Sequence, residues 1–166
     1  FRRVLFRSLM LFEEPVLGEH IANYSSATSG EAREVGEEML RAQVAKGILE
    51  LTEEIPRVTH PLGMIVKVCE NGKVKWRLVV DARASKLNQS IKDSKFTLPS
   101  LDSVLAAARK SYFMAKYDLT DGFFHVGVAP QQVDYLGLKF PGSDATGRYR
   151  FLCFGLKCAP VIFQGA

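Results

Sequence analysis

The sequence predicts an α+β fold, and three observations carry that reading. Two extended runs flank Asn71-Gly72, a capped amphipathic helix precedes them, and the later strands and helices lack regular βαβ alternation. In chain order, residues 9–28 show no clear periodicity, and residues 23–30 read as a loop rich in Ser and Thr. Ser29 can cap a helix that carries Glu31, Glu34, Glu37 and Glu38 early and Arg41 and Lys46 late, a polarity that suits the helix dipole. Val35, Met39, Leu40 and Val44 form its apolar stripe, and Gly47 is its stop. The glutamates read as a solvated face.

Residues 63–69 and 73–81 form the arms of a hairpin, with Asn71-Gly72 expected in a type I′ turn, where both central residues take positive φ. Along the second arm Trp76, Leu78 and Val80 point one way, and Arg77, Val79 and Asp81 the other. Residues 84–97 read as a polar connection. Pro99-Ser100 opens a short helix with Leu101, Val104, Leu105 and Ala108 on one side. Residues 112–118, 125–128, 135–140 and 149–154 read as strands, with a turn-rich loop at 141–147. Pro160 fits the first turn of a final helix, where its missing N–H costs little. There is no internal repeat.

Composition narrows the function classes. The chain has 166 residues, 47% hydrophobic and 24% charged, which argues against a disordered or fibrous protein. No apolar run is long enough to span a bilayer as a helix, so no membrane partner is expected. The formal charge of +4 needs correction. Residues 1–8, FRRVLFRS, match the translation of a common sequencing-library adapter and are set aside as a cloning or assembly scar. Without Arg2, Arg3 and Arg7 the 22 basic residues become 19 against 18 acidic ones, a net charge of +1. Any nucleic-acid reading must then rest on local placement. Cys69, Cys153 and Cys158 are poorly spaced for a zinc site, and His20, His60 and His125 are scattered, so free thiols are expected.

The chemistry-bearing segments are few. In YDLTDGFFHV, residues 117–126, Asp118 leaves a hydrophobic strand, and Asp121, Gly122, Phe123 and Phe124 follow. Taken alone, an aspartate there is more often a turn former than a metal ligand. Residues 154–164, FGLKCAPVIFQ, carry a glycine and then an Ala-Pro that opens a helix. Add the hairpin VKWRLVVDAR and the lead-in GILELTEE, and four motifs stand in one order.

That order, over about residues 46–166, resembles reverse transcriptases of LTR-type retroelements, tyrosine-recombinase retroelements and pararetroviruses. The resemblance implies the fingers and a partial palm of a right-hand polymerase at residues 48–166, preceded by a lead-in loop and helix at 9–47. It implies RNA-directed DNA polymerase activity by a two-metal mechanism with Mg2+ or Mn2+, on deoxynucleoside triphosphates and an RNA or DNA template-primer. Asp118 matches the catalytic metal ligand and the Leu119 carbonyl the accessory one. Asp121 and Gly122 would offer main-chain N–H groups to the triphosphate. Phe123 matches the aromatic gate against a ribose 2′-hydroxyl, and Gly155 would let main chain approach the sugar. Arg77 matches the arginine over the triphosphate, whose planar fork suits phosphate oxygens. Lys67 is its lysine companion, with Lys73 and Lys75 as rivals. Lys157 and Gln164 would face template or primer.

The chain departs from the family in several places. Lys67-Val68-Cys69-Glu70 stands where the family carries a lysine run, Asp81-Ala82-Arg83 replaces Asp-Tyr-Arg, and Leu87-Asn88 falls two residues late. No Tyr-x-Asp-Asp occurs, so the chain is expected to be a truncated fragment, inactive as a polymerase by itself. An RNA-dependent RNA polymerase palm and a degenerate, non-catalytic remnant are the alternatives. The resemblance also implies an intracellular location, cytoplasmic or nuclear.

Overall fold

The computed structural model describes residues 12, 19–108 and 111–165, together with the main chain of Arg7 and Ser8. The rest of the octapeptide and of the stretch before residue 19 lies outside the described residues. The architecture mixes helices with short sheets.

A four-stranded sheet forms the centre. Its strands are β2 (Leu49–Thr52), β3 (Thr59–His60), β7 (Gly137–Lys139) and β8 (Thr146–Tyr149), in the order β2-β8-β7-β3. Only the β3–β7 pair is parallel. Beside it stands the hairpin of β4 (Leu62–Val68) and β5 (Val74–Val80), and a two-residue parallel pair joins β1 (Arg7–Ser8) to β6 (Gly127–Val128). The octapeptide that sequence sets aside therefore contributes main-chain pairing, which is largely independent of side-chain identity. Helices α1 (Ser25–Thr28) and α2 (Gly30–Ala45) precede the sheet. Helices α3 (Leu87–Ser90), α4 (Leu101–Ala107) and α5 (Ala159–Gly165) follow the hairpin, with 3-10 turns at Gly122–His125 and Pro130–Tyr135.

The core gathers Leu40 of α2, Leu49, Leu62, Leu87, Ile91, Leu136, Leu138, Tyr149 and Leu152. Each fully buried leucine among them contributes about 1.5–3 kcal/mol through area removed from water. Helix α2 lies close to the hairpin base at Gly36, where an added Cβ would stand 3.4 Å from Met64 Sδ. Asn23 ties the hairpin to the sheet: its carboxamide accepts from Leu62 N at 2.9 Å and donates to Lys139 O at 2.8 Å.

Several expectations need correction. Ser29 is the N-cap of α2, but its hydroxyl donates to Ser25 O at 2.7 Å instead of accepting from the helix, and residues 25–28 are helical. Gly47 ends α2 at φ +66, with its N–H on Val44 O at 2.8 Å. The hairpin registers Leu62 on Val80 through to Val68 on Val74. Its turn is not type I′, because Gly72 alone takes positive φ. Gly72 N bonds Cys69 O and Cys69 N bonds Lys73 O, both at 2.8 Å, which makes a three-residue loop with a glycine bulge. The connection at 84–97 is less polar in its packing than in its composition, since Ser85, Leu87 and Ile91 are buried. Residues 112–118 form no strand and pair with none among the described residues. Tyr112, Phe113, Met114 and Tyr117 are exposed, so propensity without a ladder partner made no sheet. Helix α4 forms, but Leu101, Val104 and Leu105 are also exposed. The last strand ends at Tyr149 instead of starting there, and residues 122–125 and 130–135 turn as 3-10 helix.

His60 was unassigned by sequence and is fully buried. Its Nε2 lies 2.9 Å from Tyr135 O and its Nδ1 2.6 Å from Ser85 Oγ. A carbonyl can only accept, so Nε2 carries the proton and Nδ1 accepts from the Ser85 hydroxyl. Burial is the main reason its pKa falls to about 4, with the Tyr135 hydrogen bond and the Asp81 charge opposing it. A lowered folded-state value means that the unfolded chain takes up this proton first. The stability is intact above pH 6.5 and erodes as pH falls toward 4. Urea unfolding should show about 2 kcal/mol lost between pH 7 and pH 5, and His60→Gln should flatten that slope. An equal slope in both proteins would overturn the assignment.

Candidate functional site

A cleft of about 490 Å³ lies between α2, β5, the 3-10 turn after Asp121, β8 and the loop before α5. Its wall includes Met39 and Gln43 from α2, Trp76 and Arg77 from β5, and Asp121, Tyr149, Phe154 and Gly155. Three residues singled out from separate motifs, Arg77, Asp121 and Gly155, thus meet at one opening.

Local structure explains each placement. Arg77 pairs in register with Ile65, and Lys67 with Lys75, so strand alternation sets Lys67, Lys75 and Arg77 on one face of the hairpin. Lys67 is exposed and is not part of the cleft wall; the register does not choose between it and Lys75. Asp121 takes left-handed backbone, φ +53, and its carbonyl accepts from Phe124 N at 2.8 Å. Beyond that turn Phe123 and Phe124 both reach the Phe154 ring, and each has a further partner of its own. Phe124 stacks on Tyr149 with centroids 5.8 Å apart, a core role. Phe123 is half-buried, 4.9 Å from the Phe154 ring and 5.5 Å from Phe163, so it supports the wall from behind. Gly122 permits this packing, because a Cβ there would stand 2.9 Å from Phe163 Cζ.

The remaining expected residues are placed elsewhere. Asp118 and Leu119 lie on the exposed stretch before the turn, outside the cleft wall. Among the described residues no group of three His, Cys, Asp or Glu side chains could hold a metal ion. The described residues therefore do not fit a two-metal centre by themselves. Lys157 and Gln164 have partners inside the chain: Lys157 Nζ lies 2.8 Å from Asp93 Oδ1, and Gln164 Nε2 donates to Thr97 O at 3.0 Å. Asp81 is an anchor. It accepts from Tyr24 OH at 2.7 Å and from the Arg83 and Ala84 amides at 2.9 and 3.0 Å. Burial alone would raise its carboxyl pKa, but these bonds and the Arg83 charge outweigh it and hold the value low. Burial likewise pushes Cys153 up to about 12 and Cys158 to about 11, so both are inert thiols.

Sequence reading missed Gln43, whose Oε1 is buried without a hydrogen-bond partner among the described residues. The available signal was its spacing, four residues after Met39 on the same helix face as the apolar stripe.

Comparison with known proteins assigns the chain to a class: it is related to a region of retrotransposon and viral polyproteins. It is 33% identical over 133 residues to the retrovirus-related Pol polyprotein from transposon 412 of Drosophila melanogaster, covering 76% of this chain and 10% of that protein. It is 32% identical over 100 residues to the genome polyprotein of Petunia vein clearing virus, covering 60% and 4%. To the Pol polyprotein from transposon gypsy of Drosophila melanogaster it is 33% identical over 97 residues, covering 57% and 9%. The chain spans a tenth or less of the length of each of these. No protein-family model matches it. No helix among the described residues is long and apolar enough to cross a membrane.

Gly155 is the strictest point of the cleft. At φ +99 it stands so close to β5 that an added Cβ would lie 2.2 Å from Val80 O. Gly155→Ala should destabilise the chain by about 3 kcal/mol or more, whereas Gly72→Ala, at φ +73 with open space around it, should cost about 1 kcal/mol. Equal losses in urea unfolding would show that backbone strain, without the steric contact, sets the cost.

Proposed function

We propose that the chain is the fingers and first part of the palm of a retroelement RNA-directed DNA polymerase, and that the cleft receives an incoming deoxynucleoside triphosphate. One observation carries the reading: Arg77, Asp121 and Gly155, from motifs up to 78 positions apart, line the same opening. The polyprotein relatives support it. The Arg77 guanidinium offers a fixed, always-charged fork for phosphate oxygens at the cleft edge. Asp121 and Gly122 contribute main chain at a tight turn; the Asp121 carboxylate itself would repel a triphosphate. Gly155, whose missing Cβ is taken up by its contact with Val80 O, contributes main chain at the opposite wall. Phe123 would act on the sugar through Phe154, the ring it backs.

Mg2+ or Mn2+ would supply Lewis-acid activation at the phosphates in such an enzyme. In this proposal Asp118 and the Leu119 carbonyl are part of a donor set that needs further carboxylates. Binding is therefore the activity to assay on this chain, and polymerisation is not expected of it. Template or primer contact by Lys157 and Gln164 would require release from Asp93 and Thr97.

Trp76 is the one tryptophan in the sequence and lines the cleft, so its emission reports occupancy. Thymidine triphosphate should change that emission saturably, and Arg77→Ala should weaken binding about tenfold or more, as expected for loss of a charged hydrogen-bond pair. Equal affinity in the variant would sink the phosphate role. Phe123→Ala should narrow the difference in affinity between deoxyribonucleoside and ribonucleoside triphosphates; unchanged discrimination would remove Phe123 from sugar selection.

A further inference from the structure

In the sequence Asn88 is half of a Leu-Asn pair standing two residues late. In the structure its carboxamide spans the loop that forms one wall of the cleft. Asn88 Nδ2 donates to Gly155 O at 2.8 Å, and Asn88 Oδ1 accepts from Lys157 N at 2.8 Å. Both main-chain groups flank Leu156, which is buried. A primary amide is the one uncharged side-chain head that can donate and accept side by side in this way. It closes a ring with the main chain much as a neighbouring strand would.

The other end of the connection is equally fixed. Asn88 N bonds Ala82 O at 3.1 Å, and Leu87 and Ile91 on either side are buried. Ala82 follows Asp81, whose carboxylate holds the Arg83 and Ala84 amides. Lys86 then takes left-handed backbone, φ +62, to begin the short helix. A path of hydrogen bonds thus runs from the end of β5 through residues 81–88 to Gly155. Both ends of the path border the same cleft, since Val80 and Gly155 both line it.

We infer that Asn88 is a positioning residue for the cleft: its carboxamide sets the orientation of the Phe154–Gly155 wall relative to Arg77. The ligand part of this inference rests on the nucleotide reading above. The clamp itself does not.

Two variants separate the contributions. Asn88→Ala removes both bonds. Asn88→Asp keeps an acceptor for Lys157 N but sets a carboxylate oxygen against the Gly155 carbonyl. In Asn88→Ala, hydrogen exchange of the Lys157 amide should speed up at least about tenfold while hairpin amides keep their protection. In Asn88→Asp that amide should stay protected. Thymidine triphosphate, followed by Trp76 emission, should bind roughly tenfold more weakly to both variants, the scale of one lost hydrogen bond. The loss in Asn88→Asp should persist at high salt, where simple charge repulsion is screened. Unchanged Lys157 exchange in Asn88→Ala would overturn the clamp. Wild-type triphosphate affinity in an Asn88→Asp protein of normal stability would reduce the residue to a structural bond. If the unaltered chain shows no response to the triphosphate, the nucleotide reading fails, and the exchange measurement still decides the clamp.

Discussion

Gly155 lies against the main-chain carbonyl of Val80, and much of the candidate site depends on that approach. The contact has no room for even a methyl group. It brings the end of the hairpin, which carries Arg77, against the loop that carries Phe154, and it leaves the cleft between them. The aromatic rings behind the loop complete the arrangement. Phe123 and Phe124 each pack on Phe154, with ring centroids at 4.9 and 5.6 Å, so the Phe154 wall is backed by aromatic rings. Polar bonds then fix what packing leaves free. Asn23 ties hairpin to sheet, Asp81 closes the turn after β5, and Asn88 holds the loop itself.

The parts of this structure that sequence made legible are those fixed by local chemistry. The hairpin was readable because Asn71-Gly72 and a two-residue alternation act over a few positions, and even there the turn differed by one φ sign at Asn71. Helix α2 was readable because its apolar stripe and Gly47 stop are contiguous signals. Residues 112–118 have strand propensity of the same strength, but a strand exists only with a partner, and propensity does not supply one. His60 and Ser85 show the opposite failure. Ser85 looks like a surface residue in a polar connection and no sequence neighbour satisfies His60, yet each meets the other 25 positions away, which makes burial possible.

The site was legible to the same degree. Arg77, Asp121 and Gly155 were singled out by motif, and the fold gathers them. Asp118 was singled out by the same kind of argument and remains on an exposed stretch. The difference is packing: the first three are held by the hairpin register, a left-handed turn and a steric contact, whereas Asp118 has no comparable restraint among the described residues. Lys157 and Gln164 look like free polar groups in sequence, but the polar connection before α4 occupies both.

The hairpin is buried unevenly along its length. Leu62, Gly63 and Met64 are enclosed at its base, while both arms beyond Ile65 stand largely in solvent. Its hydrogen-bonded pairs therefore differ in local stability, and opening should begin at the tip and stop where the core takes over. Arg77, opposite Ile65, sits at that boundary. One rim of the cleft thus stands where the solvent-exposed ladder begins, and the other is set by the close contact of Gly155 with Val80.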